Sequence, residues 1–186
     1  MTQAVMTMIV ILAILLSLHI FIIVWLLWQQ HGKKSLVQTD HAYLVVYASQ
    51  SGHAESWAKH TVEQLQLIHQ QVTLKNIQKL TINDLTQYQR ILWVVSTYGE
   101  GDAPDDAQHF VHKILPQPID LSHLSFAILA LGDKRYTNFC QFGQSIEQWL
   151  LQQKAQPLFS TVLVDQLNSR DLEKWLTGLE QLTAMS

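Results

Sequence analysis

Three short polar segments, each set where an apolar run ends, hold the residue types that could do chemistry: SQSGHAE over 49–55, STYGEGD over 96–102 and LGDKRYTNFCQFG over 131–143. In the first, Ser49 and Ser51 bring hydroxyl donors and Gly52 permits a tight turn, after which the amides of His53, Ala54, Glu55 and Ser56 would open a helix. Unpaired amides at the positive end of a helix dipole hold an anion without help from Lys or Arg. The segment lacks both the Gly-Lys-Ser/Thr ending of a triphosphate loop and the three spaced glycines of a dinucleotide turn. By itself it is also ordinary capping chemistry, with His53 either donating or facing water.

The other two segments each offer an aromatic ring. Tyr98 is followed by Gly99 and Gly101, which admit backbone conformations closed to other residues, and Tyr136 lies in the third segment. Either tyrosine alone reads as a half-buried loop residue. Together, each just past an apolar run and beside a phosphate cradle, they would clasp a planar ring between them. A phosphate grip with two aromatic flanks points to FMN.

Other groups carry less. Glu100, Asp102, Asp105 and Asp106 crowd the rim of this site and either dock a basic redox partner or simply favour a helix start. His109 and His112 stand three apart with no cysteine or carboxylate-rich companion, so a solvated helix face fits better than a metal site. Cys140 is the sole cysteine, which rules out an intramolecular disulfide and suits small packing near the ring. With 12 Lys and Arg against 15 Asp and Glu, and no basic run, nucleic acid is an unsuitable partner.

The elements that must position these loops alternate. Strand-like runs fall over 42–48, 72–77, 91–95, 124–131 and 158–164, with helical patterns after the first loop and over 82–88, 104–115, 139–154 and 169–183. Such βα alternation implies a doubly wound parallel sheet covered on both faces. In that architecture ligands sit beyond the carboxyl ends of the strands, where all three segments lie.

Ahead of this domain, residues 5–28 are apolar apart from Thr7, Ser17 and His19. As a helix they would reach roughly 36 Å, enough for a bilayer core of about 30 Å. No Lys or Arg precedes them, as a secretory signal would require, and no cleavage pattern follows. A single transmembrane helix is therefore expected over 5–28, with Trp25 and Trp28 at one interface and Lys33 and Lys34 just past it. That charge bias puts the amino terminus outside and the domain over 41–186 in the cytoplasm. The linker over 29–40 would hold it within about 20 Å of the membrane.

The three segments resemble, in order, the FMN-contacting loops of the flavodoxin-like domain of diflavin reductases. STYGEGDAPDDAQHF is similar to the corresponding stretch of NADPH-dependent haemoprotein reductases, and the third segment, through Phe139, Cys140 and Gly143, to that of sulfite reductase flavoproteins. The resemblance runs from about residue 42 to the end. It implies an α/β, five-stranded parallel sheet of order 2-1-3-4-5, with Ser49, Gln50, Ser51, Gly52, His53 and Ala54 holding the phosphate. Tyr98 and Tyr136 would sandwich the ring; Ser96, Thr97, Gly99, Glu100, Gly101, Leu131, Gly132, Asp133, Asn138, Phe139 and Cys140 would line ring or ribityl chain, with Asp165 nearby. Departures from the pattern are His53 for Asn or Thr, Ala103 for Pro, and the cations Lys134 and Arg135, expected to raise the flavin potential. Since the chain ends at Ser186 without an FAD- and NADPH-binding domain, electrons are expected from a separate reductase. The function so implied is a membrane-anchored, single-electron FMN carrier serving a basic-faced, membrane-associated acceptor. The alternatives are the FMN subunit of a two-chain NADPH reductase and a non-redox scaffold or sensor.

Overall fold

The computed structural model describes residues 3, 15–19, 22 and 42–183. Contacts divide the chain into two units, 1–38 and 39–186. In the first, the described residues are helical, and a ring nitrogen of His19 lies 3.0 Å from the Leu15 carbonyl oxygen. Among the described residues no helix is long and apolar enough to cross a membrane. Most of the span expected over 5–28, and all of the linker expected over 29–40, lie outside the described residues.

The second unit is a parallel sheet with helices on both faces. Its strands are β1 (Ala42–Ala48), β2 (Gln71–Asn76), β3 (Arg90–Ser96), β4 (Ser125–Gly132), β5 (Gln156–Pro157) and β6 (Val162–Asp165). Its α-helices are α1 (His53–Leu67), α2 (Ile82–Gln87), α3 (Gln141–Gln152) and α4 (Ser169–Thr183). The strand order is β2-β1-β3-β4-β5, with β6 also paired to β4.

Strand periodicity divides the core between the two faces. Leu44, Val46, Ile91, Trp93, Phe126 and Ile128 point one way, packing with Ile146, Trp149 and Leu150 of α3. Tyr43, Val45, Leu92, Val94, Ala127 and Leu129 point the other way, onto Ala54, Ala58 and Leu65 of α1 and Leu172, Trp175 and Leu179 of α4. On that face the buried Trp175 indole donates to Thr61 Oγ1 at 2.9 Å, joining α4 to α1. The short α2 starts in a reciprocal cap: Asp84 N–H donates to Thr81 Oγ1 at 3.2 Å, and Thr81 N–H to Asp84 Oδ2 at 2.8 Å.

Two elements differ from expectation. The strand expected over 158–164 is two pieces: from Phe126 to Leu129 β4 advances three residues while its edge partner, from Pro157 to Val162, advances five. The surplus bulges out of the ladder, as edge strands tolerate and central strands do not. The helix expected over 104–115 is irregular, a 3₁₀ turn over Asp105–Ala107 followed by a π-turn over Phe110–Ile114. Phe110 and Ile114 are both buried, and Phe110 packs between Trp93 and Trp149 at centroid distances of 5.5 and 5.4 Å.

Candidate functional site

The register fixes where the loops leave the sheet. Ala48 pairs with Val95, Ser96 with Leu131 and Gly132 with Asp165, so β1, β3, β4 and β6 end at one level and their loops converge. Between them lies a cavity of about 350 Å³. Of the residues singled out from sequence, Ser51, His53, Ser96, Thr97, Gly99, Leu131, Gly132, Asp133, Tyr136, Asn138, Phe139 and Cys140 line it. Ser49, Gln50, Gly52, Ala54, Tyr98, Glu100, Gly101 and Asp165 do not; most of them shape the loops that do. Gln166 and Leu167 line it as well and were missed. Their one sequence signal is position, directly after Asp165 at the tip of β6, where both take positive φ.

In the first loop Gly52, at φ 85°, turns the chain into α1 and caps it without any side-chain hydrogen bond. Ser56 N–H donates to Gly52 carbonyl at 3.0 Å, so the amides of His53, Ala54 and Glu55 are the ones left without a helical partner. Ser56 is thereby removed from the expected cradle. Ala54 contributes only its amide, since its methyl is fully buried in the core. Two other groups are also committed elsewhere: Ser49 N–H donates to Asp106 Oδ2 at 3.2 Å, and the Gln50 side chain exchanges hydrogen bonds with Asp105, 3.0 Å to its carboxylate and 2.9 Å from its amide. These contacts staple the first loop to the turn after the second. Asn76 Nδ2 completes the staple on Asp106 Oδ2 at 2.7 Å.

The second and third loops hold each other. Tyr98 and Asp102 form an isolated bridge around Gly99 and Gly101, and Asn138 Nδ2 donates across to the Glu100 carbonyl at 2.5 Å. Phe142 N–H donates to Thr97 Oγ1 at 3.2 Å, fixing the second loop to the start of α3. Asp165 accepts from Lys134 N–H at 2.9 Å, so its carboxylate supports the third loop rather than facing the cavity. Tyr98 is 58% exposed and Tyr136 41% exposed, an uneconomical placement for two large rings unless a partner covers them.

The electrostatics are sparse. The side chain and backbone amide of Arg135 hold the Asp133 carboxyl well below the usual carboxylate range. Arg135 is therefore an exposed cation paired to the Asp133 carboxylate. Lys134 sits 5.5 Å over the Phe139 ring. Burial pushes the Cys140 thiol up to about 12, with Sγ 3.2 Å from the Ala130 carbonyl, so it is a neutral packing group.

The residues present suit a phosphate-bearing flat ring. Ser49 Oγ is buried with no hydrogen-bond partner among the described residues, and the helix that follows the same loop starts without a side-chain cap. At Gly132 a Cβ would lie 2.8 Å from Cys140 Sγ, so a side chain there would push the start of the third loop out of its packing against the cavity wall.

Comparison with known proteins agrees with this geometry. The flavodoxin family pattern matches residues 45–176. The chain is 35% identical over 137 residues to the sulfite reductase [NADPH] flavoprotein alpha-component of Bacillus subtilis, covering 73% of this chain and 22% of that one. It is 36% identical over 143 residues to human methionine synthase reductase, covering 74% and 20%. It thus spans about a fifth of the length of these relatives. Among solved structures, Flavodoxin 2 from Bacillus cereus superposes with a TM-score of 0.65 at 27% identity, covering 75% of this chain and 98% of that one. A flavodoxin from Streptococcus pneumoniae gives 0.69 at 21% identity over 78% and 99%, a likeness of fold.

Proposed function

We propose that this chain, which belongs to the flavodoxin family, binds FMN in the cavity at the strand tips and relays electrons one at a time between a separate donor and an acceptor. The observation that carries this reading is the convergence at the strand tips of a helix start without a side-chain cap, a buried serine hydroxyl with no partner among the described residues, and two exposed tyrosines.

The protein's own part is to bind and orient. Amides of His53, Ala54 and Glu55, with hydroxyls of Ser49 and Ser51, would hold the phosphate oxygens. Tyr136 and Tyr98 would cover the two ring faces, and the backbone around Gly99, Gly132 and Asn138 would reach the ring's polar edge. Bound FMN supplies the redox chemistry, while stacking and backbone hydrogen bonds set its potential. No side chain need act as acid, base or nucleophile.

The donor is an FAD- and NADPH-dependent reductase acting in trans, a reading supported by relatives named as NADPH-dependent flavoproteins or reductases. The acceptor carries a basic face that meets Glu100, Asp102 and their acidic neighbours. The domain works at a membrane: residues 5–28 form one span, with the amino terminus outside and the domain over 41–186 in the cytoplasm, supported by the apolar run and by Lys33 and Lys34. The same relatives favour a second reading, the FMN subunit of a two-chain NADPH reductase.

The test uses detergent-purified full-length chain with FMN, an FAD-type reductase and NADPH under argon. Bleaching of the flavin absorbance only when the reductase is present supports the carrier. Protein that never retains FMN favours the scaffold or sensor. Sedimentation of the chain with membranes, resisting carbonate and yielding to detergent, tests the span.

A further inference from the structure

Among the described residues that line the cavity there is no Lys and no Arg; His53 is the one group able to carry positive charge. It is also the first residue of α1, beside the amides and Ser51 at the phosphate end. A phosphate monoester and an imidazole both change charge between pH 5 and 8.

We propose that His53 is a phosphate-recognition residue that makes FMN retention tighten as its imidazole takes up a proton, so that flavin is held more firmly under mildly acidic conditions than at pH 8. The proposal rests on the reading of the cavity as an FMN site.

Geometry carries it. The imidazole lines the cavity and is exposed, so it can turn its nitrogens toward a phosphate oxygen. Carboxylates surround it: Glu100 and Asp102 stand in the second loop. On α1, Glu55 is paired to Lys59 at 2.7 Å. From the turn after β3, Asp106 receives Ser49 N–H and Asn76, and Asp105 receives Gln50. From the third loop, Asp133 is paired with Arg135 and Lys134 lies over Phe139, while Asp165 accepts the Lys134 amide. Cys140 is neutral in this pH range. Among the described residues, Lys59 and Arg135 are thus paired with carboxylates and Lys134 lies over a ring.

The sign follows from linkage. A dianion binds better to imidazolium than to imidazole, so binding raises proton uptake at His53 and affinity rises as pH falls through its titration. Protonation of the phosphate itself opposes this, and the carboxylates add their own slopes. All of those are shared by a His53→Asn variant and cancel in the ratio of its FMN dissociation constant to that of the wild type.

The experiment titrates FMN, and separately riboflavin, into full-length wild type, His53→Asn and His53→Lys from pH 5.5 to 8, following flavin fluorescence. Expected is a Asn-variant to wild-type ratio near one at pH 8 and about five at pH 5.5, a charge-assisted contact being roughly twice as strong as a neutral one. For riboflavin, which has no phosphate, the ratio stays flat. The Lys variant, charged throughout, binds FMN about fivefold more tightly than the wild type at pH 8 and about equally at pH 5.5. An FMN ratio that does not change with pH overturns this inference alone, and so does a riboflavin ratio that changes as much. Wild type that binds neither flavin at any pH overturns the FMN reading beneath it.

Discussion

Replacing Gly101 by alanine should loosen the grip on the flavin while leaving the domain folded, because that glycine is where the second and third loops press together. Its φ of 123° is a region side chains rarely adopt, which costs about 1–3 kcal/mol for any other residue. A Cβ there would also sit 2.8 Å from Asn138 Cβ, an atom too close to the backbone to rotate away. Asn138 must then retreat and give up its 2.5 Å hydrogen bond to the Glu100 carbonyl, worth about 1 kcal/mol. The sum is roughly 2–4 kcal/mol. The two loops are exposed and relieve it by parting, which separates Tyr98 from Tyr136. At 1.4 kcal/mol per tenfold, the FMN dissociation constant should rise about thirtyfold or more. Asn138→Ala loses only the latch, so its rise should be about fivefold. Fluorescence titration of FMN into both variants, with apo melting curves alongside, reads the effect. If Gly101→Ala binds no more weakly than Asn138→Ala, the loops do not meet as described and the reasoning fails.

Thr61→Val leaves the buried Trp175 indole N–H without an acceptor, a loss of about 1–3 kcal/mol that should lower the apo melting temperature by several degrees and spare FMN affinity. Asp84 is pushed upward by burial, but hydrogen bonds from Lys75 and Thr81 outweigh this and hold its carboxyl below the ordinary value. Its contribution is therefore present above the unfolded carboxylate pKa and lost as pH falls below about 4, and Asp84→Asn should flatten that acid limb of the urea midpoint. Cys140, neutral and buried, should resist an aromatic disulfide reagent at pH 8 until the protein is unfolded by urea. Tyr136→Ala should weaken FMN by about fivefold through lost stacking, measured by the same fluorescence titration.

Much of this was legible in the chain because local signals agreed with the fold. The apolar runs at 42–48 and 91–95 could only be central strands, and the last helix matches its expected range over Ser169–Thr183. Position after a strand was enough to collect the three loops. What escaped was set by tertiary packing. The π-turn at Phe110–Ile114 answers to Trp93 and Trp149, residues distant in sequence. The split of the edge strand depends on register against β4. Within the site, sequence could name Gln50, Asp165 and Arg135 but not their hydrogen-bond partners, and those turned two of them into loop supports and the third into half of an ion pair. Gln166 and Leu167 carry no compositional mark at all; only the convergence of β6 with β4 brings them to the cavity.

If a phosphate-bearing flavin is gripped at the strand tips by helix-start amides and hydroxyls and clasped by two tyrosines, the chain should bind FMN. Equilibrium titration of FMN into the detergent-purified full chain, read by fluorescence quenching and by flavin absorbance retained after gel filtration, tests it most directly. Expected is saturable binding of one FMN per chain, tighter than riboflavin. Flavin that stays bright and elutes free of the protein would contradict it.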